Sequence, residues 1–290
     1  MSDGVNTQLM ARVALGRTLR RLRTKGHQLT IASVAEKIGC DVSLLSRIER
    51  GMRSCSYDHF VQLMDLYQVE QEQREKLAEL HTSSRDRNLP WWAHYDDVIT
   101  ASYTKFIAFE DAAERSLDYQ LGIVPGLLQT ERYARAVTAV GFASLSEDQV
   151  DGLVEVRMAR QRQRLLEAER PLTCHYVITQ AALEFQVGGR EGQAEQLEHL
   201  LEMSHHDSVE LQVVPYERGE DGCQISAFTI FQFPGDLPDM AFGESVAGTM
   251  TLDDPRDLRR LHRLFRSLAN SALSIDQSRD LIARIKDGND

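Results

Sequence analysis

Along the first 80 or so residues, apolar positions fall at helical spacing in short runs punctuated by glycine. Leu15, Leu19 and Leu22 share one face with arginines between them, which predicts an amphipathic helix over about residues 9 to 25, closed at Gly26. Thr30 stands where an N-cap belongs, ahead of IASVAEKIG, whose Ile31, Val34, Ala35 and Ile38 line one face up to Gly39. Asp41 is placed to cap a further helix, VSLLSRIER, stopped by Gly51. Ser56 or Asp58 opens a fourth helix carrying Phe60, Leu63, Met64 and Tyr67, and EQEQREKLAELH forms a fifth. The expectation is a compact all-α domain over residues 1–81.

Residues 82–90, TSSRDRNLP, lose the periodicity and end in proline, which predicts a linker. Trp91 and Trp92 are expected to open a second domain, 91–290, and to seal its core. There the pattern alternates in type. A strand is predicted at 115–124, a turn at Pro125-Gly126, a helix over about 128–140 and a long helix over about 146–168. Strand-like runs follow at 172–179, 208–214, 226–233 and 239–246, rich in β-branched and aromatic residues, with a helix near 190–204 between the first two of these. Helices at 255–270 and 274–286 close the chain. Short Gly/Pro turns between the late strands point to an α+β domain with a mainly antiparallel sheet.

Two of the early helices carry a more specific pattern. A helix-turn-helix needs a small residue where its helices meet, a turn residue without side-chain clash, and apolar residues locking the second helix. Ala35, Gly39, and the set Val34, Leu45 and Ile48 meet these demands, at positions 5, 9, and 4, 15 and 18 of a unit starting at Ile31. With Leu45 and Ile48 inward, helical geometry turns Val42, Ser43, Ser46 and Arg47 outward, toward a major groove. Val42, Ser43 and Arg47 are therefore expected to read base edges: Arg47 suits guanine, Val42 a thymine methyl, and Ser43 several bases. Thr30, Ser46, Arg50 and Arg53 are assigned to phosphates. The predicted role is a sequence-specific binder of double-stranded DNA and a transcriptional regulator. Such motifs usually pair on half-sites about one helical turn apart, so a homodimer is expected.

Charge sharpens this picture. The formal net charge of −11 by itself argues against nucleic acid. Its distribution does not: residues 1–60 hold ten Lys/Arg against five acids, a net of +5, which leaves −16 for the rest. A basic head presents charge to phosphates while the acidic body repels them. No apolar run approaches the ~20 residues that span a bilayer, and the N-terminus lacks a secretory pattern, so a cytoplasmic location is expected. Cys40, Cys55, Cys174 and Cys223 lie far apart without a CxxC pair, which suits reduced, mostly buried thiols better than a metal site or disulfides.

Other features are read structurally. His199, His205, His206 and Asp207 could be drawn as a metal site, but His205 and His206 diverge at a helix end, so no metal is assigned. Arg157, Arg160 and Arg164 share a helical face, where salt bridging to nearby acids is favoured over a second DNA contact. VPGLLQT is read as a turn, with a ligand or partner contact as the alternative. No GxGxxG, GxxxxGK[ST], GxSxG or HExxH occurs, so neither an enzyme nor a cofactor is expected.

Two resemblances add to this reading. GCDVSLLSRIERGMRS, with ALGRTLRRLR before it, resembles the Xre/Cro/C1-type helix-turn-helix over residues 12–69, apart from Ile31, where that family often has a phosphate-bonding glutamine. The segments IAFEDAAERSLDYQLGIVPGLLQTERYARAV, VRMARQRQRLL, LQVVPYERG and FTIFQFP are similar to the C-terminal domain of an actinobacterial group of Xre-type, antitoxin-like regulators of toxin–antitoxin systems, over about 91–285. That resemblance implies a small partner protein encoded nearby and a body that binds it. The main expectation for the body is dimerisation together with the sensing of a signal or partner; the alternative is an antitoxin-like module that sequesters the small partner, with DNA binding serving autoregulation.

Overall fold

The computed structural model describes residues 3–85, 90–141, 145–221, 226–235, 237–245 and 248–288. It divides into two compact units, Met1–Ala93 and His94–Asp290.

The first unit is helical throughout. Helix α1 (Asp3–Arg21) runs on into a π-helical turn, Leu22–Gly26, and is followed by α2 (Ile31–Lys37), α3 (Val42–Glu49), α4 (Tyr57–Leu66) and α5 (Gln71–Ser83). Leu15 and Leu19 of α1, Val34 of α2, Leu45 and Ile48 of α3, and Leu63 and Met64 of α4 are buried in one cluster. The Thr30 and Ser56 hydroxyls cap α2 and α4 by accepting from Ser33 N and His59 N. Asp41 occupies the N-cap position of α3 in extended backbone, but its side chain makes no cap bond.

Two boundaries differ from expectation. Helix α5 runs through Ser83 and buries Ser84, so the start of the expected linker is helical; its residues 86–89 lie outside the described residues. The division after Ala93 leaves Trp91 and Trp92, which meet edge to face at 5.4 Å, with the first unit rather than at the head of the second.

The second unit is α+β. Helix α6 (Ala101–Ala112) leads into β1 (Arg115–Gln120), a short 3₁₀ turn at Gly126–Leu128, α7 (Glu131–Gly141) and α8 (Glu147–Gln161). Then come β2 (Thr173–Thr179), the short α9 (Ala181–Glu184), α10 (Gly189–Met203) and β3 (Val209–Val214). Strands β4 (Phe228–Gln232), β5 (Met240–Ser245) and β6 (Gly248–Leu252) precede α11 (Pro255–Ser271) and α12 (Ile275–Lys286). The six strands lie in the order β3-β2-β1-β4-β5-β6. Three of the five pairings are antiparallel; β1-β2 and β2-β3 are parallel. A parallel neighbour needs a crossover, and α10, between β2 and β3, supplies one of them.

Strand β1 is paired along both edges, and helices pack over both its faces. Leu117 and Tyr119 join Val177, Phe228 and Ile230 in a core closed by Leu258, Phe265 and Leu268 of α11. Because side chains alternate along a strand, Ser116, Asp118 and Gln120 occupy the opposite face, and all three are buried. On that side Phe106 and Phe109 of α6 meet Phe231, Phe233 and Phe242 edge to face or tilted.

Candidate nucleic-acid interface

The geometry of α3 follows from its two faces. Leu45 and Ile48 are 0% and 2% exposed and hold the helix to α1 and α2, which turns Val42, Ser43 and Arg47 into solvent. Val42, 46% exposed, places an apolar side chain on this outer face. Arg47 Nε donates to Ser43 O at 3.2 Å, so the guanidinium lies along the helix beside Ser43. Arg50 Nε donates likewise to Ser46 O at 3.2 Å, and Ser46 is half-buried. Arg53 is exposed in the loop after Gly51, and Thr30, also exposed, begins α2. The three residues assigned to bases thus lie together on the outer face of α3. Of those assigned to phosphates, Arg50 and Arg53 follow α3 and Thr30 caps α2, whereas Ser46 lies within α3, half-buried beside Arg47.

The turn between the helices uses glycine where a side chain would be strained. Gly39 has φ +67°, in the left-handed region, and Ala35, 1% exposed, lets α2 and α3 approach. Two further contacts fix α3, and spacing alone did not disclose them. Arg23, in the π-helical turn after α1, grips Glu49 at the end of α3: Nε lies 2.6 Å from Oε1 and Nη2 2.7 Å from Oε2. The third donor, Nη1, bonds to Leu29 O at 3.0 Å, just before α2. Counted from the sequence, Arg23 is one more positive charge for phosphates; in the fold it is 9% exposed and structural. Gly16 in mid-α1 is the second: a Cβ there would lie 2.3 Å from Ile48 O, so α1 and the end of α3 touch backbone to backbone.

The arginines of α8 and its extension turn inward. Arg160 pairs with Glu110 at 2.6 and 2.7 Å, Arg164 donates to Glu110 O and Ala113 O, and Arg157 donates to Gln129 Oε1 at 2.8 Å. Buried at 5% and 8% exposure, Arg160 and Arg164 cannot reach DNA. Among the described residues no group of three or more His, Cys, Asp or Glu is placed to hold a metal ion. His205 Nδ1 instead faces Leu201 O at 2.7 Å, and His206 Nδ1 accepts from Ser208 N. Cys40, Cys55 and Cys174 are free thiols, and burial pushes Cys55 and Cys174 up to about 12; Cys223 lies outside the described residues.

Comparison with known families agrees with this division of the chain. A helix-turn-helix domain family matches residues 14–77, and a family described as a domain of unknown function (DUF5753) matches residues 103–284. No curated protein matches the chain.

Proposed function

We propose, for a chain that belongs to the DUF5753 family of domains of unknown function and carries a helix-turn-helix ahead of that domain, that it is a sequence-specific, double-stranded-DNA-binding transcriptional regulator of Xre type. The observation that carries this reading is the exposed row Val42, Ser43 and Arg47 on a helix whose inner face is locked by Leu45, Ile48 and the Arg23–Glu49 pair. A rigid helix lets side chains meet base edges with little entropy left to lose. Val42, Ser43 and Arg47 read bases, and Thr30, Ser46, Arg50 and Arg53 position the helix on phosphates.

In this reading the second unit dimerises the protein and receives a signal, without enzymatic chemistry, and the protein acts in the cytoplasm, where the DNA is. No helix among the described residues is long and apolar enough to cross a membrane. In the antitoxin-like alternative the second unit holds a small partner protein and DNA binding serves autoregulation.

Selection of bound fragments from sheared genomic DNA by the purified chain tests the reading. The expected result is enrichment of one short motif, as two half-sites about 10 base pairs apart for a dimer. Recovery of fragments with no shared sequence would remove it. Light scattering giving a single-subunit mass with and without the selected site would remove the dimer alone.

A further inference from the structure

The polar face of β1 opens into a cavity of about 140 Å³ within the second unit. A water occupies roughly 30 Å³ in the liquid, and a 150 Å³ protein cavity can take benzene, so the space suits an organic molecule of about six to eight heavy atoms.

Its wall is unusual in what it leaves unsatisfied. Asp118, 8% exposed, accepts from Thr229 Oγ1 and Gln120 Nε2, each at 2.9 Å. Gln120, 5% exposed, also lines the cavity with Arg157, and Gln120 Oε1 and Arg157 Nε are buried without a hydrogen-bond partner, whereas the Tyr176 hydroxyl is taken up by the Cys174 thiol. Such orphans are costly and therefore rare, and a bound group can satisfy them. The charges are unbalanced as well. Glu110 and Arg160, both in the wall, neutralise each other in their bidentate pair, leaving the carboxyls of Asp118 and Glu244 against the single guanidinium of Arg157. With Asp118 ionised the wall carries one excess negative charge, and with the lone-pair acceptor on Gln120 and the flanking Phe106 and Phe242 rings it calls for a cation with several N–H donors and an apolar body.

The geometry points to a binding site for a small organic amine, its ammonium group held by Asp118 and Gln120 and its apolar part by the phenyl rings. An anion would meet Arg157 but also the carboxyls of Asp118 and Glu244, with Arg160 already committed to Glu110. Burial holds the Asp118 carboxyl up at about 7, so an arriving ammonium restores a carboxylate and displaces a proton. The site gives a ligand class to the sensing role proposed above and rests on that reading for its regulatory meaning.

Calorimetric titration of the full chain with benzylamine and cyclohexylamine, against benzyl alcohol and benzoate, tests it. Both amines are expected to bind at least tenfold more tightly than the alcohol, with a buffer-dependent heat from the released proton and no binding of benzoate. In Asp118→Asn the preference for amine over alcohol is expected to vanish. Gln120→Met, which keeps the volume and removes the acceptor, serves as a second variant and is expected to weaken the amines about fivefold. No binding of either amine, equal binding of the alcohol, tighter binding of benzoate, or an unchanged preference in both variants would each overturn the site. Operator affinity measured with and without benzylamine keeps the two readings apart. Amine binding that leaves DNA affinity unchanged upholds the site and removes the sensing role, whereas loss of the regulator reading requires failure to bind any DNA sequence selectively.

Discussion

Arg23 and Glu49 form a buried two-pronged ion pair, at 2.6 and 2.7 Å, that ties the segment after α1 to the last residue of the helix proposed to enter DNA. The pair sets where α3 points. Removing one partner strands the other charge in a desolvated place, whereas removing both with apolar residues of similar size does not.

Glu49→Ala is therefore expected to destabilise the first unit by about 3–5 kcal/mol, and the double variant Arg23→Met with Glu49→Leu by much less. Urea unfolding of each variant checks this. A double variant as unstable as the single one would show that the pair's net attraction, rather than the stranded charge, dominates.

Gly16→Ala is expected to cost about 1–3 kcal/mol or more, because the new Cβ would lie 2.3 Å from Ile48 O and 2.8 Å from Glu49 O, which are backbone atoms that cannot rotate aside. Gly39→Ala meets nothing within 4 Å and pays only for its φ of +67°, about 1–2 kcal/mol. Thermal melts of the two variants should rank them in that order, and operator binding should fall further in Gly16→Ala as α3 is displaced.

Asp118 gives the second unit a pH dependence of definite sign. Its carboxyl is held up at about 7 against an ordinary 3.8, chiefly by burial, with the donors Thr229 and Gln120 opposing and the acids Glu244 and Glu110 reinforcing. The folded chain therefore keeps a proton that the unfolded chain gives up above about pH 4. Stability from this group falls by ~1.4 kcal/mol per unit as pH rises from about 4 to about 7, then levels. Asp118→Asn removes that fall; the Thr229 hydroxyl can turn to accept from the new amide. Denaturant titrations are expected to place the variant level with the wild type near pH 4 and a few kcal/mol above it at pH 8. A gap that does not change with pH would mean that Asp118 is ionised throughout.

The helix-turn-helix was legible because its demands are local: Ala35, Gly39, Leu45 and Ile48 act within one short unit, and the caps Thr30 and Ser56 sit beside the helices they start. The strands β1 to β5 were legible for the same reason. What escaped depends on distant partners. Helix α6 has no single apolar stripe because it is covered on several sides, burying Glu110 and Asp111 together with Ile107 and Phe109. Strand β6 is short, five residues opened by a glycine, and follows β5 too closely to stand out. The alternation in RSLDYQ reads as a strand with one wet face. Only the packing of α6 on that face turns Ser116, Asp118 and Gln120 into a buried wall. Arg23 looked like surface charge until the fold brought Glu49 to it, and Arg160, expected to bridge to acids, drew a partner, Glu110, that only the fold identifies.

The most direct measurement compares the wild type, Arg47→Ala and Arg53→Ala for binding to the selected operator and to a scrambled duplex over a range of salt. Arg47→Ala is expected to lose about 1–3 kcal/mol on the operator and almost nothing on the scrambled duplex, relaxing base preference at one position. Arg53→Ala is expected to weaken both duplexes by the same factor and to lower the salt slope by about one. Equal losses from the two variants on both duplexes would contradict the division of α3 and its flanks into readers and anchors, and operator binding untouched by Arg47→Ala would take α3 out of the major groove.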